Sequence, residues 1–453
     1  MQSISMLLRA LTALLLSAPL CAQQVWYVNS GAPAGGNGLA WATAFDDLQA
    51  ALQAPNVDDQ IWVAAGKYFP SHEETPGSPR TATFNLPMGI KIYGGFDGSE
   101  TSLSQRAELF HQTILSGDLG VTGDTSDNAY RVVLINRNPQ NLSTLLDGFT
   151  VEHGNANGPT GLPERGAGIY VTLDLTSPSW GVNFDLKNCT LRKNLAIYGA
   201  AMTVDNIAIV RLTDCHFTGN SSVERGGALQ VHSASARVYN CEFDRNWALK
   251  GGAIFLNSIA FDVSGVNPRV RFVNCLFHDN AADRGGAAFI NGGQIVRGIG
   301  TFLNCTVANN TAISVGGGFF ARTETQIPAI LEIYNSIVWN NCAPLNPQLF
   351  GPGTTMTYTN IRGGWDGSTN FSADPGFVNE AQRDYHTRAG SRVHDAGDNG
   401  AMLPDLNDLD NDGNLFELVP LDMDGKPRFK DDKYSRNTGA GTGRPVDLGA
   451  YEF

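Results

Sequence analysis

Charge is scarce in this chain. Only 17% of its 453 residues are Asp, Glu, Lys or Arg, and the acids outnumber the bases 44 to 31. A net charge of −13 argues against a nucleic-acid binder, because a phosphate backbone has to be met by a basic surface. Helical periodicity is scarce too. Residues 45–52 carry it, with Phe45, Leu48 and Leu52 on one face and Thr43 placed to cap. Beyond the first 22 residues there is no run of about 18 apolar residues, so no transmembrane helix is expected there. Cysteine is limited to 7 residues without the close spacing of a metal cluster. A hydrophobic share of 42% excludes a disordered chain. Glycine, by contrast, is plentiful at 51 residues, and with Asn it marks many tight turns.

The N-terminus reads as an export signal. Arg9 precedes a short apolar run from Ala10 to Leu16, and Leu20-Cys21-Ala22 offers a cleavage site before Gln23. The expectation is a chain exported to the extracellular space or the outer cell surface.

The strongest signal is internal repetition. Gly-Gly pairs or their variants begin at Gly166, Gly199, Gly226, Gly251, Gly285 and Gly316. Each leads to a small residue in a fixed place: Cys189, Cys215, Cys241, Cys275, Cys305 and then Ser336. Five residues after each comes an Asn: Asn194, Asn220, Asn246, Asn280, Asn310 and Asn341. The cysteines recur at intervals of 26, 26, 34 and 30 residues, a solenoid period. Short β-rich runs such as Val270-Arg271-Phe272 fill the intervals, and leucine-rich and ankyrin patterns are missing. These features predict an all-β parallel β-helix, one repeat per coil, with a short N-terminal capping helix. Stacking predicts an inward ladder of cysteine thiols, an Asn ladder at a turn and sharp glycine corners. Five cysteines in one column cannot all pair within it, so free thiols are expected, with Cys342 outside the column and exposed.

Three resemblances follow. Gly251-Gly252-Ala253-Ile254 and the Phe-x-x-Asn units at Phe217, Phe243 and Phe277 resemble the polymorphic outer-membrane-protein repeat. The stretch holding Ile90-Lys91-Ile92-Tyr93 and Leu145-Leu146-Asp147-Gly148 is similar to the N-terminal part of secreted bacterial right-handed β-helix proteins of the pectin-lyase-like superfold, and this resemblance implies a right-handed parallel β-helix. Asp374-Pro375-Gly376-Phe377, Asp395-Ala396-Gly397 and Val446-Asp447-Leu448-Gly449-Ala450-Tyr451-Glu452 resemble the choice-of-anchor Q domain. The expected organisation is a signal at 1–22, an N-terminal cap and first strands at 23–88, coils at 89–365 with clear repeats at 166–341, and a C-terminal closing region at 366–453.

Two groups are candidates for chemistry. Arg165, Arg225, Lys250 and Arg284 each precede the first Gly of a repeat. Aligned coils would make them a cationic stripe able to hold a polysaccharide or cell-surface glycan. Glu164, Glu224 and Asp283 stand beside three of them, so local charge compensation is the competing expectation. Asp408, Asp410 and Asp412, followed by Gly413, have the alternation of a calcium loop, though Val419 stands where an EF-hand needs its last Glu. Asp118, Asp147, Glu152 and His153 are acid–base candidates by position. Catalysis on the pectin-lyase-like superfold uses clustered carboxylates or calcium with Arg or Lys, and neither motif is recovered. The expectation is a non-catalytic, adhesin-like or glycan-binding protein, with a polysaccharide lyase or glycoside hydrolase as the alternative.

Overall fold

One coil shows how the sequence turns. Strand Ser235–Tyr239 ends at Asn240, which takes a left-handed φ of 52°. Cys241 follows, then strand Glu242–Asp244 and a second left-handed residue, Arg245, at φ 53°. Asn246 leads into strand Trp247–Lys250, and Gly251, at φ 68°, makes the third corner before strand Ile254–Asn257. Asn and Gly tolerate this backbone best, and both recur at these corners. Alternate residues such as Val238, Phe243, Ala248 and Leu256 point inward and are buried.

A computed structural model describes residues 23–107, 110–136, 142–159, 163–172, 184–205, 208–257, 269–293, 298–322 and 327–453. The expected export signal lies outside them. Among the described residues the coils stack into parallel sheets of eleven, ten, six and nine strands, and one antiparallel pair, Phe377–Asn379 with Asp384–Thr387, stands apart. The register is regular over the repeats: Arg211 sits opposite Arg237, and Phe217 opposite Phe243. No helix among the described residues is long and apolar enough to cross a membrane.

Three columns hold the stack together. Cys189, Cys215, Cys241, Cys275 and Cys305 are all buried and free. Each thiol lies 3.1–3.3 Å from the carbonyl oxygen two residues back. Ser336 takes the next place: its Oγ accepts from Cys305 N at 3.1 Å. Burial pushes the Cys215 and Cys275 thiols well above the ordinary value. Among the described cysteines only Cys342 is exposed. A thiol reagent should therefore modify one of the six cysteines of a chain starting at Gln23, and all six once denaturant is added. Fast modification of a second thiol in the native chain would contradict the inward column.

In the second column each Asn side chain donates to the next. Asn220 Nδ2 donates to Asn246 Oδ1 and Asn246 Nδ2 to Asn280 Oδ1, both at 3.0 Å, and Asn341 closes the run on Gln348. The third is aromatic: Phe217, Phe243 and Phe277 stack at 4.7 and 4.8 Å. Beside them the second glycine of each pair is sterically required. A Cβ on Gly252 would meet the Gly286 carbonyl oxygen at 2.2 Å.

The structure corrects two expectations. The N-terminal helix is a single turn, Leu48–Ala51, and Asp47 caps it by accepting from Gln49 N, so Thr43 is not the cap. Leu48, Ala51 and Leu52 are buried in the main core. Strand Val25–Val28 already pairs in parallel with Gln60–Ala64, and that strand pairs with Lys91–Phe96, so the stack begins at the first described strand. Finally, residues 366–453 do more than close the end. Phe371 bridges Asn360 beyond the last coils, but the chain then runs back along the side of the solenoid. Val446 and Met402 pack with Tyr239, Val273 and Leu303, while Tyr385 and Leu448 pack with Leu276 and Ile337. Arg428 is fully buried there and donates to Asn274 Oδ1 at 2.9 Å.

Candidate functional site

The predicted cationic stripe does line up. Arg225, Lys250 and Arg284 are in register on successive coils, and Tyr198 separates Arg225 from Arg165. Its side chains are engaged, however. Arg165 pairs with Asp205 at 3.0 Å, and Asp205 also accepts from Tyr170. Arg225 lies over the Tyr198 and Phe255 rings at 5.5 and 5.3 Å, and Lys250 over Phe289 at 5.5 Å. Arg284 pairs with its neighbour Asp283 at 3.3 Å. Local compensation therefore describes Arg284, while Arg165 finds its partner one coil on. The outward Phe255, Phe289 and Phe320 are buried, and the stripe's cations help cover them.

A second cationic column, not singled out from the sequence, lies on the eleven-stranded sheet. Four residues before each Cys or Ser of the inner column stand Asp185, Arg211, Arg237, Arg271, Thr301 and Glu332. All six are in parallel register and point outward. The ends of this column are compensated. Arg211 forks onto Asp185 at 2.5 and 2.7 Å. Glu332 accepts from Thr301 at 2.7 Å and pairs with Arg269 at 3.4 Å. The middle is not compensated: among the described residues neither Arg237 nor Arg271 forms an ion pair. The Arg271 Nε is buried without a hydrogen-bond partner. Burial, with the Arg269 and Arg237 charges beside it, pushes Arg271 below its ordinary value. Like charges one coil apart, about 4.8 Å, repel unless an anion sits on them.

The acid–base candidates are tied into ion pairs or turns. Asp147 pairs with Arg106 at 3.2 Å, and Glu152 with Lys67 and Arg192 at 3.2 and 2.8 Å. His153 lies 3.6 Å from Glu152, and Asp118 accepts from Gly123 N. On the ten-stranded sheet His216, Glu242 and Asp244 bring ligand atoms within 4.8 Å of one another. Their donors and acceptors are already used. His216 meets Asp244 and His278 meets Glu242, both at 2.8 Å, and Arg383 of the C-terminal region reaches Asp279 at 2.8 Å. This network fastens the C-terminal region to the coils. Asp408, Asp410 and Asp412 do converge, again within 4.8 Å.

The C-terminal seam buries carboxyl groups whose titration should make it sensitive to pH. Burial and the Asp447 charge push the Glu452 carboxyl up to about 9, against the opposing pull of Arg428. Burial with the Asp447 and Asp431 charges pushes Asp395 up to about 6. The folded state thus holds protons that unfolded carboxyls release near pH 4, and stability falls as pH rises from about 4 to 9. Below that window the carboxylates of Glu152, Asp205 and Glu242, all held low despite burial by their cationic or histidine partners, protonate and weaken the fold. The thermal midpoint should peak near pH 5 and decline toward pH 9. A midpoint that climbs from pH 5 to 9 in calorimetry would contradict this.

The stacked parallel sheets of four-stranded coils define the class: a right-handed parallel β-helix. Residues 165–346 match the family described as the right handed beta helix region. Among solved structures the chain is similar to a pectate lyase, at 12% identity over 95% of this chain and 96% of that one, with a TM-score of 0.37. It is also similar to the pectin methylesterase from Aspergillus niger, at 16% identity over 81% and 90%, TM-score 0.34. The polygalacturonase from Erwinia carotovora subsp. carotovora shares 10% identity over 75% and 96%, TM-score 0.30. No curated protein matches the chain.

Proposed function

We propose that the chain is an exported, non-catalytic scaffold that binds an acidic polysaccharide or cell-surface glycan along the arginine column of the eleven-stranded sheet. In this reading the polymorphic outer-membrane-protein-type repeats build the binding face, and residues 366–453 are a choice-of-anchor Q-like module beside it. One observation carries the proposal: Arg237 and Arg271 stand in register on adjacent coils, half-buried and with no ion pair among the described residues, on a chain of net charge −13. An extended polymer with a carboxylate on each sugar presents repeated anions to such a column, and guanidinium forks suit carboxylates.

The test is retention of residues 23–453 on immobilised polygalacturonate and on a neutral galactan, over a salt gradient, with ultraviolet absorbance of the sugar followed in parallel. The expected result is salt-sensitive retention on the uronate matrix alone. Equal retention on both matrices, or none, would defeat the proposal. Growth of the unsaturated-uronate absorbance would replace the non-catalytic scaffold with a lyase.

A further inference from the structure

The acidic loop holds more than the three aspartates of its motif. Its base is closed by a bridge between Pro404 and Leu418, by Asp405 N donating to Glu417 O at 2.8 Å and by Val419 N donating to Leu403 O at 3.0 Å. Closing the base brings Asp405 and Glu417 under the motif. Ligand atoms of Asp405, Asp410 and Glu417 lie within 4.8 Å of one another, as do those of Asp408, Asp410 and Asp412, so Asp410 joins the two sets. None of the five carboxylates forms an ion pair among the described residues.

Asp405 makes this more than an acidic turn. Its side chain is fully buried. One oxygen, Oδ2, accepts from Leu409 N at 2.7 Å, whereas Oδ1 has no partner; Glu417 Oε1 is likewise buried and unpartnered. A buried carboxylate oxygen left without a donor is costly. Asp405 belongs to the set with Asp410 and Glu417, and a cation bound among them would satisfy it.

We propose that Asp405, Asp408, Asp410, Asp412 and Glu417 hold one calcium ion. The donor chemistry selects the metal. Every ligand is a hard oxygen, and no His or Cys stands in the cluster, which disfavours zinc and copper. Five carboxylates from a loop suit the large, irregular shell of calcium better than the tight octahedron of magnesium. The ion fixes the segment whose Asn407 Nδ2 donates to Thr213 Oγ1 at 2.9 Å, and whose flanking residues Met402 and Val419 pack on Tyr239 and Val273. It therefore pins the C-terminal region to the coils.

The experiment is calorimetric titration of chelator-treated residues 23–453 with calcium chloride and, separately, magnesium chloride, with thermal midpoints measured at each calcium concentration. The expected result is one calcium site, a midpoint that rises with calcium and much weaker binding of magnesium. Asp410→Asn, at an exposed position, should weaken calcium binding about tenfold or more while the apo midpoint stays unchanged. Glu417→Gln should do likewise, and Asp405→Asn should abolish binding. Absence of binding heat and of any midpoint shift would overturn the assignment. So would unchanged affinity in both Asp410→Asn and Glu417→Gln, or magnesium bound as tightly as calcium.

Discussion

Arg237→Glu combined with Arg271→Glu is expected to abolish retention on the uronate matrix and leave the thermal midpoint unchanged. Both side chains point outward from adjacent coils and form no ion pair among the described residues. Each would contribute a charge-assisted contact to a bound carboxylate, roughly 1.5 kcal/mol or more. Losing two such contacts weakens binding on the order of a hundredfold, before the repulsion of the new glutamates is counted. The fold should tolerate the change, because both side chains point outward and the introduced carboxylates stand beside the Arg211 and Arg269 charges. The informative control is Arg225→Glu with Arg284→Glu on the other stripe. That pair should lower stability, through lost cover on Phe255 and a lost pair with Asp283, and should leave retention unaltered. The opposite pattern would move the site to the stripe.

Asn246→Ala is expected to cost about 3 to 5 kcal/mol of stability. The Asn246 amide serves both neighbouring coils. Its Oδ1 accepts from Asn220 N and Nδ2 at 3.1 and 3.0 Å. Its Nδ2 donates to Phe217 O and Asn280 Oδ1 at 2.8 and 3.0 Å. All of these groups are buried, so alanine leaves several of them unpaired with no water to replace the amide. Ser336→Cys provides the contrast. It extends the thiol column by one more member, and its effect should stay within about 1 kcal/mol. Denaturant midpoints measure both. An Asn246→Ala chain as stable as the parent would mean that the ladder is incidental to the stack.

What is legible in the sequence follows from periodicity. The Cys, Asn and Gly columns occupy one place per coil, so their offsets alone expose the coil. The arginine column shares that property, four residues ahead of the cysteines. It is hidden in the sequence because its members change chemistry from Asp185 to Glu332, whereas the inner columns repeat one residue type. The stripe at Arg225 is visible for the opposite reason, but rings such as Phe289, several strands away in sequence, engage it. The course of the C-terminal region is hidden altogether. It depends on contacts such as Arg428 with Asn274 and Asn407 with Thr213, separated by 154 and 194 residues. Asp405 and Glu417 lie outside the aspartate motif for a related reason: the closed base of the loop, and not its spacing, brings them under it.

The most direct measurement is a crystal structure of residues 23–453 soaked with an oligogalacturonate. The account predicts sugar density along the eleven-stranded sheet, with carboxylates on the Arg237 and Arg271 guanidinium groups and successive sugars following the coils. Ordered density over Trp247 and Arg284, or a ligand-free arginine column in crystals where oligosaccharide is bound elsewhere, would contradict it.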